Sequence, residues 1–254
     1  MEVFGRTLPE AYHKALVALY HYGSEVFCHD YNEMTLEMPM TMVVENPFEE
    51  PMISKIFPGG HKDLQQYIME IRDGIFDFEV GKSSTSWEYT YHQRMWNYNQ
   101  VNFVIDELRS NPNSRRAVID IRDNTVDQNT THPACLQHIQ FMIRHGQLDM
   151  YVTMRSNDAF RATFMNAIGF IFLQKAVAEE LGVEVGRYEH RANSFHVYEK
   201  SFDAFKKAVK KIKEEEIEDL TYDYVGFYKE LMEAAVDEIW KKVEALRGAD
   251  KYDF

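Results

Sequence analysis

The sequence has little of three features that mark whole classes of protein. Its 254 residues include two cysteines, which allow one disulfide but not the framework of a small secreted domain. Basic residues are outnumbered, 28 against 41 acidic ones, so a surface for duplex nucleic acid is not expected. No apolar run approaches a membrane span, and residues 1–11 have no apolar signal core. We therefore expect a cytoplasmic protein that binds neither nucleic acid nor membrane.

What is present is the material for a large core, since 45% of the residues are hydrophobic. Helical and strand patterns follow one another without a repeat or a low-complexity linker, which predicts one α+β domain over residues 1–254. Helices are predicted over 9–22, 63–72, 99–110 and 163–181, the last central and buried, and the chain from 201 onward, with a C-terminal extension over 215–254, is predicted helical. Strands are predicted over 40–44, 117–121, 137–144, 147–155 and 194–198, with a hairpin turn at His145–Gly146.

Cys135 is the first candidate for chemistry. A lone cysteine is more often a buried apolar side chain than a nucleophile. A nucleophile must be a thiolate, and nearby positive charge favours the thiolate. Arg115, Arg116 and Arg155 are the candidate cations, although spacing alone does not bring them to Cys135.

Arg155 and Ser156 follow an apolar strand pattern. An arginine there is commonly part of a surface ion pair, but a guanidinium fork beside a hydroxyl also suits a phosphate. Arg115 and Arg116 have the same two interpretations. If they lie on a strand, adjacent side chains point to opposite faces, so at most one would face a given pocket unless the other reaches a partner subunit.

Three polar side chains in apolar surroundings complete the candidates. Asn166 lies inside the predicted buried helix, where its amide either makes a core hydrogen bond or reads a base with its donor and acceptor. His196 and Tyr198 alternate with apolar residues on a strand, so both share one face. That face is either the polar side of a half-buried strand or a site for a ribose hydroxyl.

Taken together, these segments resemble thymidylate synthase. Ser114-Arg115-Arg116 followed nineteen residues later by Cys135, with Gln140 beyond, is similar to that family's phosphate arginines and cysteine loop. Matching motifs follow: Arg155-Ser156-Asn157-Asp158, Asn166, His196-Val197-Tyr198, and Tyr89 with Arg94. The resemblance, closest to the archaeal branch, implies a mixed sheet packed by helices, a homodimer with shared active sites, and no metal.

The resemblance also implies roles for these residues. Cys135 would add to C6 of a pyrimidine nucleotide, with 5,10-methylenetetrahydrofolate as donor of a carbon unit and hydride. Catalysis would use Cys135, Asn166 at O4, Asp158 at the folate and Tyr89 at the C5 proton. Substrate binding would use Arg155, Ser156, Gln140, His196 and Tyr198, with Arg115 and Arg116 from the partner.

Several departures leave alternatives open. Tyr67 stands where the family carries a glutamate, and the chain ends Lys251-Tyr252-Asp253-Phe254 rather than in the short apolar tail that seals the folate site. An unsealed site admits water in place of hydride. The first hypothesis is dUMP methylation to dTMP, the second a dCMP, CMP or dUMP 5-hydroxymethylase, and the third a silent nucleotide-binding relative.

Overall fold

The computed structural model describes residues 1–82 and 87–249, and the predicted tail at 251–254 lies outside them. The described residues form a mixed sheet packed by helices, as predicted. The strands are β1 (Glu2–Gly5), β2 (Ser24–Cys28), β3 (Glu33–Val44), β4 (Ile53–Ser54), β5 (Val118–Asp120), β6 (Leu136–Arg144), β7 (Gln147–Asp158), β8 (Glu184–Tyr198) and β9 (Thr221–Tyr222). The helices are α1 (Leu8–Tyr22), α2 (His61–Asp73), α3 (Tyr91–Trp96), α4 (Gln100–Ser110), α5 (Thr163–Leu181), α6 (Phe202–Glu214), α7 (Lys229–Ala234) and α8 (Val236–Ala249).

Most of the strands belong to a single sheet, in the order β1-β3-β8-β7-β6-β5, with β2 paired to β3. The β6–β7 hairpin turns at His145 and Gly146, both with positive φ (54° and 79°), which is the backbone of the tight turn predicted there. Strands β7 and β8 are parallel, with Ser156 opposite Ser194 and Asp158 opposite His196. The last residues of these two central strands therefore meet at one place in the sheet.

The predicted central helix is confirmed as α5, which is buried along most of its length and packs on α2, β7 and β8. It ends at Gly182, whose φ of 68° is left-handed, as the sequence indicated. At Gly169 a Cβ would lie 2.6 Å from Cδ1 of Tyr67, so the glycine allows α2 to approach closely. This approach brings Tyr67 beside the first turns of α5.

Two predictions of secondary structure were wrong or too short. The chain after residue 214 is not one helical extension, because β9 pairs with β4 before α7 and α8 begin. Strand β8 begins at Glu184, ten residues before its predicted start. Arg115 and Arg116 lie in the loop before β5, outside the predicted strand as well, so strand alternation does not govern where they point.

The C-terminal helix α8 packs against α2 through a small apolar cluster that includes Met69, Phe76, Ile239 and Val243. Lys62 on α2 also pairs with Glu238 on α8. Within the two described ranges, no helix has both the length and the apolar character that crossing a membrane requires.

Candidate active site

A cavity of about 850 Å³ opens where β7 and β8 end. Its floor comes from these strand ends and α5, and its walls come from the loop before β6, the β2–β3 turn and α2. Eight of the predicted site residues line it: Tyr89, Cys135, Arg155, Ser156, Asp158, Asn166, His196 and Tyr198. A pocket of this size is typical of a site for a small molecule or cofactor.

The reactive loop is tied to β7 by Arg155. The guanidinium donates from Nη2 to the Pro133 carbonyl at 2.8 Å and from Nε to the Ala134 carbonyl at 3.1 Å. The Arg155 backbone N–H donates to the Cys135 carbonyl, also at 2.8 Å. Arg155 is therefore an anchor for the loop, and its Nη1 group, which has no hydrogen-bond partner in the described part of the chain, is left for an anion.

Cys135 is a free thiol that lines the cavity. Burial raises the pKa of this thiol, and Arg155 lowers it by a smaller amount. In the isolated chain the thiol form therefore predominates at neutral pH, because one arginine does not outweigh the loss of water.

Three tyrosines stand beside Cys135: Tyr67, Tyr89 and Tyr91. Burial raises the pKa of Tyr89 to about 12 and raises those of the other two. All three are therefore phenols at neutral pH. Arg94 lies under the Tyr89 ring, 5.3 Å from its centroid, and forms a buried ion pair with Asp127 at 2.9 Å.

The Asn166 amide is held by a buried hydrogen-bond network. Its Oδ1 accepts from Asn157 Nδ2 at 2.8 Å, and its Nδ2 donates to the Tyr67 hydroxyl. Asn157 Oδ1 in turn contacts Thr163 Oγ1 at 2.8 Å and His190 Nε2 at 2.9 Å. Asn166 is therefore fixed in orientation at the cavity floor, with hydrogen-bonding capacity left for a ligand.

His196 has an unused nitrogen in this cavity. Its Nδ1 lies 3.3 Å from Ser194 Oγ and 3.5 Å from Ser156 Oγ. Its Nε2 is buried and has no hydrogen-bond partner within residues 1–82 and 87–249. Because buried polar atoms are nearly always paired, this atom fits the hydroxyl of a bound ligand. The Tyr198 ring packs edge-on against His196, with centroids 4.7 Å apart.

Asp158 shapes the turn between β7 and α5. Its Oδ1 accepts from the backbone N–H groups of Phe160 at 3.0 Å and Arg161 at 2.8 Å. These bonds hold the carboxylate at the cavity wall.

The thymidylate synthase family model matches residues 62–239, which is well over half of the chain. The chain belongs to the thymidylate synthase family. It is 36% identical over 199 residues to a protein of Methanocaldococcus jannaschii named “Putative thymidylate synthase”, a match that covers 72% of this chain and 85% of that protein. A Methanosarcina acetivorans protein of the same name is 27% identical over 82% of this chain and 94% of its own length.

The fold is that of thymidylate synthase A from Bacillus subtilis, with a TM-score of 0.65 at 19% identity over 80% of this chain and 84% of that one. Membership of the thymidylate synthase family makes this protein a pyrimidine one-carbon transferase. The predicted resemblance and the predicted fold class are thereby confirmed.

Three predicted site residues lie outside the cavity of the single chain. Arg115 and Arg116 are exposed in the loop before β5. Gln140 lies on β6, and its Nε2 donates to the Arg115 carbonyl at 2.9 Å. The isolated chain therefore does not bring these residues to Cys135.

Other cavity residues were missed in the sequence. Tyr67 was noted only as standing in the place of a glutamate, and Tyr91 and the β2–β3 turn with His29 and Tyr31 were not recognised. The strand pattern of β2 and the aromatic spacing around Tyr89 were the available signals. Neither indicates a cavity until the sheet order is known.

Proposed function

We propose that this thymidylate synthase family member methylates dUMP to dTMP, with 5,10-methylenetetrahydrofolate as co-substrate. The observation that carries the proposal is the meeting of Cys135, Arg155 and Asn166 in one cavity. These residues come from a loop, a strand end and a helix, and together they supply a nucleophile, a cation and an amide. Methylation at C5 of a pyrimidine nucleotide needs all three.

The first step would be addition of the Cys135 sulfur to C6 of the pyrimidine. The new S–C6 bond forms as the C5=C6 electron pair moves toward C5 and O4. The fixed Asn166 amide would stabilise the charge at O4, as preorganised donors do for an oxyanion. After substitution at C5 and loss of the C5 proton, the S–C6 bond breaks and frees the thiolate.

The C5 proton would leave through a water molecule that is held by the protonated hydroxyl of Tyr89. With its pKa raised to about 12, Tyr89 is not a phenolate at neutral pH. Its hydroxyl would orient a water molecule that accepts the proton. Arg155 and Ser156 would hold the phosphate, and His196 and Tyr198 the ribose, where His196 Nε2 lacks a partner in the described part of the chain.

The charge of the cavity supports a shared site in a homodimer. Among the described residues that line it, one arginine, Arg155, faces three carboxylates, Asp30, Glu37 and Asp158. A nucleotide phosphate needs more positive charge than this, and so does the Cys135 thiolate. Arg115 and Arg116 of a second copy would supply it.

The cavity also has room for more than the nucleotide. The tyrosines offer ring faces for a pterin, and Asp158, already held by two backbone N–H groups, would orient it. When bound, the folate supplies the carbon unit and the hydride. The residues of this chain bind and orient the two substrates and exclude water.

A turnover assay tests the proposal. Purified protein is incubated with methylenetetrahydrofolate and with dUMP, dCMP or CMP. We expect dihydrofolate, followed by absorbance, and dTMP in equal amounts from dUMP. Tetrahydrofolate with a 5-hydroxymethyl nucleotide would show the hydroxymethylase instead. No turnover, together with unchanged nucleotide binding in Cys135→Ala, would contradict both activities.

A further inference from the structure

The direction of the hydrogen-bond network behind Asn166 can be read from its far end. Tyr188 is completely buried, and His190 Nδ1, at 2.8 Å, is the only hydrogen-bond partner its hydroxyl has within the two described ranges. A buried O–H without an acceptor is costly, so Tyr188 must donate to His190 Nδ1. The histidine proton then lies on Nε2.

The proton on His190 Nε2 sets the orientation of both amides. Nε2 donates to Asn157 Oδ1 at 2.9 Å, so Asn157 presents its Nδ2 to Asn166 Oδ1 at 2.8 Å. Asn166 must then donate from Nδ2 to the oxygen of Tyr67. Burial lowers the pKa of His190 to about 3, so the ring stays neutral and the direction holds at working pH.

The chain of hydrogen bonds ends at Tyr67 in the cavity. Its oxygen accepts from Asn166, and its own proton has no acceptor among residues 1–82 and 87–249, so it can donate to a ligand. Burial also raises the pKa of this phenol, so it remains a donor across the working pH range. The close approach of α2 at Gly169 keeps the ring in place.

We propose that Tyr67 is a specificity-determining residue, whose hydroxyl donates to the carbonyl oxygen on C4 of the pyrimidine and selects a carbonyl over an amino group at that position. This inference rests on the proposed function of the cavity. A C4 carbonyl accepts the Tyr67 proton, whereas a C4 amino group turns its own proton toward the same donor. One unpaired donor in a buried site is enough to discriminate strongly between such substrates.

The first test uses Tyr67→Phe, which keeps the ring and removes the hydroxyl. We expect kcat/KM for dUMP to fall about 100-fold, as for loss of one oxyanion donor. The dUMP-to-dCMP selectivity ratio should fall by about 10-fold or more, in turnover and in calorimetric binding of each nucleotide without folate. An unchanged ratio in a folded Tyr67→Phe protein would overturn the inference.

Two further variants test whether the direction of the hydrogen bonds, rather than a general loss of stability, sets the selectivity. Tyr188→Phe removes the donor that sets the His190 proton and lies outside the cavity lining. We expect it to lower the same ratio, and an unchanged ratio counts against the inference. The control is Tyr12→Phe, which removes a buried hydroxyl bonded to the Phe160 carbonyl at 3.2 Å and should leave the ratio as it is. An equal fall of the selectivity ratio in Tyr12→Phe would show that the change comes from lost stability alone and would overturn the inference.

Binding to the unmodified protein gives a measurement that depends on no variant. The probe is a deoxyuridylate analogue with hydrogen in place of the C4 carbonyl oxygen, which should bind at least about 10-fold more weakly than dUMP. Equal binding of the two would overturn the inference. Nucleotide binding that depends on Tyr67, without turnover, would contradict the proposed function alone. Turnover of dUMP with a selectivity that does not depend on Tyr67 would contradict this inference alone.

Discussion

Replacing Arg155 with lysine should loosen the loop that carries Cys135 while keeping the positive charge in the cavity. The guanidinium holds two loop carbonyls, at 2.8 and 3.1 Å. A hydrogen bond to a charged group contributes about 1.5–3 kcal/mol, and the half-buried position favours the lower end. Lysine can restore one of the two bonds, so we expect a loss of about 2 kcal/mol of stability.

That loss should appear in two assays. For a chain of this length the Tm should fall by about 4–8 °C. If the same energy positions Cys135 for attack, kcat for dUMP should fall by about 30-fold. Arg109→Lys is the control, because Arg109 holds the Glu180 carbonyl at 2.9 Å on the surface and should change neither quantity. An unchanged Tm with only KM raised would refute the anchoring role and leave Arg155 as a phosphate ligand.

Three other changes have defined outcomes. Asn166→Asp should shift kcat/KM toward dCMP, since a protonated carboxyl can donate to N3, and an intact dUMP preference would show that Asn166 does not read the base. Burial lowers the pKa of His190 to about 3 and that of His13 to about 4, whereas both titrate near 6.5 when unfolded. Below pH 6.5 the unfolded state then binds more protons than the folded state. The free energy of unfolding, measured by urea titration, should therefore be constant above about pH 7 and lower by about 2 kcal/mol per histidine at pH 5. A flat profile would contradict this. Asp127→Ala leaves Arg94 buried without its partner and should cost about 3–5 kcal/mol in the same titration, where a loss below about 1 kcal/mol would show the ion pair to be dispensable.

Local signals in the sequence were enough to predict much of the fold. The α5 helix and its Gly182 end, and the turn at His145 and Gly146, depend on neighbours along the chain. The first half of β8 was missed because its buried face carries Gly186, Tyr188, His190 and Ala192, which give a weak apolar alternation. The β4–β9 pair joins two-residue strands far apart in sequence, and no local pattern specifies such a pairing.

In the candidate site, too, features set by neighbouring residues could be predicted from the sequence, whereas contacts between distant segments could not. His196 and Tyr198 were placed on one face by strand alternation, and the structure puts both in the cavity. Tyr67 and Asn166 meet only because Gly169 lets two helices approach. The raised pKa of the Cys135 thiol also depends on burial, which motif spacing does not reveal.

In the proposed reaction, the Cys135 sulfur activates the pyrimidine for substitution at C5. Release of tritium from C5-labelled dUMP into water, with methylenetetrahydrofolate present, measures this step whether the product is methyl or hydroxymethyl. We expect one tritium released per product, a rate at least about 1,000-fold lower in Cys135→Ser, and near-normal release in Cys28→Ser. Release by Cys135→Ser at the wild-type rate would rule out Cys135 as the nucleophile.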